Sequence, residues 1–162
     1  MSGHHQARFK HEDGTSVFQS EEDVFQERGV AKILREVWNC ELTPFGALAP
    51  IDYFAARHGR VSAVVEIKCR SNSETKYETV YLNVRKWLAL GLAQVGLGVP
   101  ALFVVQFTGS IRYISWDEID GRNLKIGGGS GIVRSRSDME PVIEICIPDM
   151  RVIEHGSDEG VS

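Results

Sequence analysis

Residues 61–69 read Val-Ser-Ala-Val-Val-Glu-Ile-Lys-Cys, and this stretch decides the fold of the 162-residue chain. Its valine-rich start and charged end predict a β-strand that is buried over most of its length. The preceding residues 50–55, Pro-Ile-Asp-Tyr-Phe-Ala, predict a shorter strand, and Arg57-His58-Gly59-Arg60 predicts a turn between the two. The two strands are therefore expected to form a β-hairpin.

Helices are predicted on both sides of this hairpin. Ser20 is a suitable N-cap, and the acidic residues after it suit the positive end of a helix that runs to Asn39. A second helix is predicted over residues 83–95, before Gly96 and Gly98. Five of its apolar residues share one face at helical spacing. They are Val84, Trp87, Leu88, Leu92 and Val95.

Further strands are predicted over residues 101–107, 111–116 and 142–147. The nearly continuous apolar run of residues 101–107 suits a strand that is covered on both faces. The stretch 121–138 is predicted to be irregular. The order of helices and strands indicates a mixed α/β domain with a central sheet and helices packed against it.

The composition predicts one domain between two tails. Residues 1–20 are polar and are expected to be disordered, residues 21–153 to form the single domain, and residues 154–162 to be a flexible tail. The three cysteines include no CxxC pair, which disfavours a structural zinc site. No apolar run approaches the roughly 20 residues needed to cross a bilayer, and no signal peptide is evident. We therefore expect a cytoplasmic protein with no membrane partner.

The formal net charge of −4 disfavours non-specific binding to nucleic acid, which depends on neutralising phosphates. Much of the acidic excess lies near the two ends of the chain, however, and the middle is richer in lysine and arginine. The local field matters more to a ligand than the total charge. Nucleic acid therefore remains a plausible partner for the middle of the chain.

Glu66 and Lys68 lie two residues apart, so both side chains are expected on one face of the second hairpin strand. A charged group that follows an apolar stretch needs a partner or a metal ion. An ion pair at a strand end is the ordinary explanation for an isolated Glu-x-Lys. An odd loop around Gly59 places Asp52 opposite Glu66, whereas an even loop centred on His58-Gly59 pairs Asp52 with residue 65 and separates the carboxylates.

With the odd loop, the carboxylates of Asp52 and Glu66 can share one hard cation. Mg²⁺ typically binds through one or two carboxylates together with phosphate oxygens and water. The backbone carbonyl of Ile67 is a candidate for a further oxygen ligand. Lys68 would lie beside the metal, where it could position or deprotonate an attacking water, or offset charge on the phosphorus.

Asp52, thirteen intervening residues and Glu66-Ile67-Lys68 resemble the motif of the PD-(D/E)xK nuclease superfamily. That motif places a carboxylate on one strand of a hairpin and D/E-x-K on the next. The proline that usually comes just before the aspartate stands one residue earlier here, as Pro50. The resemblance covers residues 21–107 and implies a restriction-endonuclease-like core (α-β-β-α-β) with an extra C-terminal β region. Residues 108–153 further resemble small phage-encoded members.

The resemblance implies a Mg²⁺-dependent deoxyribonuclease in which Mn²⁺ can substitute. Asp52, Glu66 and the Ile67 carbonyl would hold the metal, and Lys68 would assist the attacking water. The helix before the hairpin commonly supplies an acidic residue in this superfamily, and Glu27 is the best match. The alternative is that Glu27 is an ordinary surface acid. Four basic residues are candidates for DNA contacts, with simple solvation as the alternative: Arg70, Lys86, Arg134 and Arg136.

Two other classes of function remain open at this stage. A catalytically inactive protein of the nuclease fold could serve as a DNA-binding or assembly module, which the negative net charge favours. The intact acidic pair and lysine favour the enzyme, because costly buried charges usually serve chemistry. The third class is a structural α/β domain with a fortuitous motif. A homodimer would suit cutting of two strands, although no coiled-coil pattern indicates one. Duplex, single-stranded and branched DNA all remain candidate substrates.

Overall fold

A six-stranded mixed sheet forms the centre of the computed structural model, which describes residues 8–10, 16–18, 21–46, 48–127 and 140–156. The helices are α1 (Glu21–Trp38) and α2 (Val84–Leu97). The strands, in chain order, are β1 (Arg8–Lys10), β2 (Ser16–Phe18), β3 (Glu41–Pro44), β4 (Tyr53–Arg57), β5 (Arg60–Cys69), β6 (Thr79–Asn83), β7 (Ala101–Phe107), β8 (Ser110–Ser115), β9 (Leu124–Gly127), β10 (Glu140–Cys146) and β11 (Arg151–Val152).

The central sheet has the strand order β11-β8-β7-β5-β4-β3. β5 and β7 are parallel, and the other neighbouring pairs are antiparallel. The connection from β5 to β7 runs through β6 and α2, so the helix of a parallel crossover packs back onto the sheet. A smaller sheet has the order β6-β10-β9, and β1 pairs with β2 separately.

Two hydrophobic clusters cover the two faces of the central sheet. On one face, α2 and the smaller sheet pack on Val64 of β5 and Phe103 of β7. On the other face, α1 packs on Val65 of β5 and Val104 of β7. The alternation along β5 and β7 shows that both strands are covered on both faces, as the sequence of β7 predicts. The predicted mixed α/β class with a central sheet flanked by helices is confirmed.

The turn between β4 and β5 has two residues, His58 and Gly59, with φ of 50° and 73°. Positive φ at both positions is typical of a type I′ hairpin turn, whose twist matches that of the strands. The loop is therefore even, and the odd loop that would by itself place the two carboxylates opposite each other is not present. A two-residue loop alone would have left Asp52 opposite residue 65.

A β-bulge restores the register that the carboxylates require. Next to the turn, Arg57 pairs with Arg60, but the register shifts after Ala56 and leaves Ser62 as the extra residue of β5. Beyond the shift Tyr53 pairs with Val65, and one further step places residue 52 opposite residue 66. Bulges of this kind are common next to active sites, where they re-aim side chains. The predicted opposition of the two carboxylates thus arises from an even loop and a bulge together.

α2 presents to the core only part of the apolar face that its sequence suggests, since Val84 and Trp87 pack against the core cluster. Leu88, Leu92 and Val95 are exposed, whereas Leu90 and Gly91 are buried. A Cβ atom at Gly91 would lie 2.5 Å from the Trp116 ring, so the glycine permits this contact. Because α2 is apolar on almost every side, the spacing of its apolar residues does not identify the buried face.

Several short strands were not predicted. β3 and β6 lie in stretches without a clear alternating pattern, and β9 lies within the predicted irregular stretch 121–138. β1 and β2 pair inside the range 1–20, which was expected to be disordered. All five strands gain their backbone hydrogen bonds from a partner strand, which local composition does not reveal. The rest of the predicted N-terminal tail, Ser20 included, and residues 157–162 lie outside the described residues.

Candidate active site

The carboxylates of Asp52 and Glu66 point at one position beside the C-terminal end of β5. Lys86 Nζ lies 2.8 Å from Glu66 Oε1 and 3.6 Å from Asp52 Oδ1. Asp52 Oδ2 accepts a hydrogen bond of 2.9 Å from the backbone N–H of Ile67, which fixes the orientation of this carboxylate. In the described chain the two acidic side chains therefore share a single cation, the Lys86 ammonium.

Glu66 is the more deeply buried of the two acids, with only 7% of its surface exposed. Its Oε2 atom is buried and has no hydrogen-bond partner among the described residues. Burial, followed by the nearby Asp52 charge, raises the pKa of Glu66 to about 8, although Lys86 acts in the opposite direction. A buried carboxylate oxygen without a donor costs free energy that a bound metal ion would offset. The donor set of Asp52 and Glu66 therefore fits a hard divalent cation.

The backbone of Ile67 is also oriented toward this position. In a β-strand the N–H and C=O groups of one residue point to the same edge. The N–H of Ile67 is bonded to the Asp52 side chain, so its carbonyl faces the same edge, beyond the start of β4. The sequence-based candidates Asp52, Glu66 and Ile67 thus lie together.

Lys68 lies on the same face of β5 as Glu66, two residues further along. Its Nζ donates a 2.6 Å hydrogen bond to the backbone carbonyl of Tyr81 on β6. This hydrogen bond holds the ammonium close to the carboxylate pair. Burial, followed by the nearby Arg70 charge, lowers the pKa of Lys68 to about 8, although Glu66 acts in the opposite direction. Near neutral pH this lysine can therefore both carry and release a proton.

Glu27 approaches from the other side of the sheet. It lies on α1, whose buried Val30 and Leu34 pack on the face opposite to Glu66. Glu27 is half-buried, and it is the last of the causes that raise the pKa of Glu66. Over the ranges that the structure describes, no three His, Cys, Asp or Glu side chains are close enough to hold a metal together. The structure thus does not bring Glu27 into a common ligand set with Asp52 and Glu66.

The four candidate DNA-contacting residues fall into three groups. Lys86 is engaged with the carboxylates, an arrangement that its position in the first turn of α2 alone does not reveal. Arg70 is half-buried beside Lys68, on the same face of the sheet. Arg134 and Arg136 lie outside the described residues. Sequence reasoning missed the pairing of Lys86 because a contact between residues 66 and 86 leaves no trace in local spacing.

The chain matches the model of a family described as "Phage putative PDDEXK endonuclease" over residues 15–153. The chain belongs to this family. The match extends well beyond residues 21–107 and includes β8 to β11, so the C-terminal strands are part of what defines this PD-(D/E)xK family.

The fold of this PD-(D/E)xK protein is similar to that of Hjc, a Holliday junction resolvase from the archaeal hyperthermophile Archaeoglobus fulgidus. The two structures superpose with a TM-score of 0.54 and 15% sequence identity, over 82% of this chain and 93% of Hjc. This similarity establishes a shared fold. A search of curated proteins finds no match. None of the helices in the described part of the chain is long and apolar enough to cross a membrane.

Proposed function

We propose that this protein is a Mg²⁺-dependent endonuclease that hydrolyses phosphodiester bonds of DNA. Asp52 and Glu66 are the proposed metal ligands, with the Ile67 carbonyl as a third oxygen donor, and Lys68 stands beside the attacking water. The observation that carries this proposal is the convergence of both carboxylates on one cation, with Glu66 Oε2 buried and without a donor in the part of the chain that the structure describes. Donors that are all oxygen favour Mg²⁺, for which Mn²⁺ can substitute.

Different residues of the chain contribute different parts of the hydrolysis reaction. Hydrolysis forms one P–O bond from water and breaks another, so the water must lose a proton and the leaving oxygen must gain one. When bound, the divalent cation would polarise a phosphoryl oxygen and lower the pKa of its water. The Ile67 N–H orients Asp52, and the Tyr81 carbonyl holds Lys68. As an amine, Lys68 can accept the proton of water; as an ammonium, it can offset charge on the phosphate.

The test is cleavage of labelled DNA by the full chain with Mg²⁺, Mn²⁺ or EDTA. Duplex, single-stranded and four-way-junction substrates are compared, the junction because Hjc is described as a Holliday junction resolvase. We expect products with either metal and none with EDTA. If the folded protein yields no products on any substrate yet shifts the DNA in a gel, the inactive binding module replaces the enzyme as the better explanation.

A phage nuclease would act inside the host cell.

The affinity for metal is expected to depend on pH through Glu66. Because the pKa of Glu66 is raised to about 8, its carboxyl group holds a proton below that pH, and the metal must displace it. The apparent affinity for Mn²⁺ should rise about tenfold per pH unit up to about pH 8 and then level off. Calorimetric titration at several pH values measures this slope. An affinity that stays constant across the range would show that Glu66 is not a ligand.

A further inference from the structure

We propose that Lys86 is an exchangeable counter-ion, which neutralises Asp52 and Glu66 in the metal-free protein and leaves them when a divalent cation binds. This inference rests on the proposed function, because it concerns the same pair of carboxylates. It assigns Lys86 a role that differs from a DNA contact: the lysine competes with the metal for the site.

The first argument is steric. The Lys86 ammonium lies 2.8 Å from Glu66 Oε1 and 3.6 Å from Asp52 Oδ1, between the two carboxylates. A Mg²⁺ ion shared by the same oxygens would stand about 2.0–2.1 Å from them. Two cations cannot occupy this space together, so a metal that binds Glu66 Oε1 and Asp52 Oδ1 can do so only after the ammonium has moved.

The second argument concerns charge. Asp52 and Glu66 carry two negative charges when ionised, and the Lys86 ammonium offsets one of them. A divalent cation offsets both, so the ammonium would become an uncompensated positive charge beside the metal. Lys68 and Arg70 add positive charge nearby, and Glu27, the additional acid whose charge reaches Glu66, has a smaller effect on it than Asp52 or Lys86. Repulsion therefore favours departure of Lys86 once the metal is bound.

The third argument is that Lys86 can leave without disturbing the fold. It lies in the first turn of α2, and a third of its side chain is exposed, so a change of rotamers can carry the ammonium into solvent. Lysine has a flexible stem and a strongly hydrated ammonium, which suits such exchange. The helix itself is fixed independently, because Asn83 caps its start and Leu90 and Gly91 are buried.

The experiment is a calorimetric titration of the full chain with Mn²⁺, without DNA, at about pH 8. Lys86→Met keeps the apolar stem and removes the competing charge, and it should bind Mn²⁺ about tenfold more tightly than the wild type. Arg85→Met is the matched control, because Arg85 is an exposed cation in the same helical turn. Its affinity should stay within about twofold of the wild type.

A second variant and a measurement of thermal unfolding distinguish competition for the metal site from a folding defect. Lys86→Arg keeps the charge and can bind both carboxylates, so its affinity for Mn²⁺ should equal or fall below that of the wild type. Without metal, Lys86→Met should unfold at a lower temperature than the wild type, and saturating Mn²⁺ should raise its Tm by more.

The outcomes separate the two proposals. The inference is overturned if the wild type binds Mn²⁺ and Lys86→Met binds it equally or more weakly, or if Lys86→Arg binds more tightly than the wild type. If neither the wild type nor Lys86→Met binds Mn²⁺, the proposed metal-dependent function fails instead.

Discussion

Replacing Glu66 by glutamine is expected to reduce metal-dependent cleavage by about a thousandfold or more. Glutamine keeps the shape of the side chain but supplies no negative charge to a cation, and metal catalysis contributes several kcal/mol to such reactions. Calorimetry should detect no Mn²⁺ binding by this variant at concentrations that saturate the wild type. Glu36→Gln, on the exposed side of α1, is the control and should cleave like the wild type.

The same substitution should make the protein more stable at alkaline pH in the absence of metal. The pKa of Glu66 in the folded protein is about 8, raised from its ordinary 4.5 by burial. The folded state therefore holds this proton more tightly than the unfolded state, and the free energy of unfolding falls as pH rises from about 4.5 to about 8. Glutamine does not ionise, so Glu66→Gln should gain about 1–3 kcal/mol at pH 8 and little at pH 4.

Denaturant unfolding of both proteins at the two pH values measures this gain. A variant that loses cleavage and also loses stability at pH 8 would indicate that Glu66 serves the fold rather than the reaction. The combination of lost activity and gained stability is typical of a charge that is retained for function.

Replacing Lys68 by methionine is expected to lower kcat by about 10²–10⁴-fold, the usual contribution of a positioned proton-transfer group. Methionine retains the apolar stem of the lysine side chain but cannot accept a proton or offset charge. Because Lys68 supplies no ligand oxygen, Mn²⁺ binding should persist. Retained metal binding with lost cleavage distinguishes this variant from Glu66→Gln.

Single-turnover cleavage with saturating enzyme measures the chemical step directly, and Lys32→Met on the exposed side of α1 is the matched control. A reduction in kcat below about tenfold would remove Lys68 from the reaction. A large drop in Tm would instead indicate that the hydrogen bond to the Tyr81 carbonyl is mainly structural.

The core of the fold was predictable because it depends on local pattern. The valine-rich β5 and the apolar β7 have the sequence of strands that are covered on both faces. The sequence of α1 shows both the acidic first turn and the helical spacing of apolar residues that predict a helix. Strand alternation was enough to place Glu66 and Lys68 on one face. The position of the turn was also recognisable from Arg57-His58-Gly59-Arg60, although the number of its loop residues was not.

What the sequence did not reveal depends on contacts between distant segments. The pairing of Lys86 with Glu66 follows from how α2 packs over β5, and the exposed face of α2 follows from where Trp116 meets Gly91. The bulge at Ser62 has no distinctive residue, because Ser, Val and Ala fit a regular strand equally well. For Glu27, the resemblance indicated an acidic residue on the helix before the hairpin but could not show which face of the sheet α1 covers.

The bulge at Ser62 also bears on how such a hairpin can change in evolution. Between the turn and the bulge, a one-residue insertion or deletion can be compensated by a change in the bulge. Asp52 then stays opposite Glu66. On the other side, between Ala63 and Glu66, a one-residue deletion would turn one carboxylate to the opposite face. The hairpin tip is therefore the segment where related sequences should tolerate insertions and deletions, and where a peptide or reporter group can be grafted without disturbing the acidic pair.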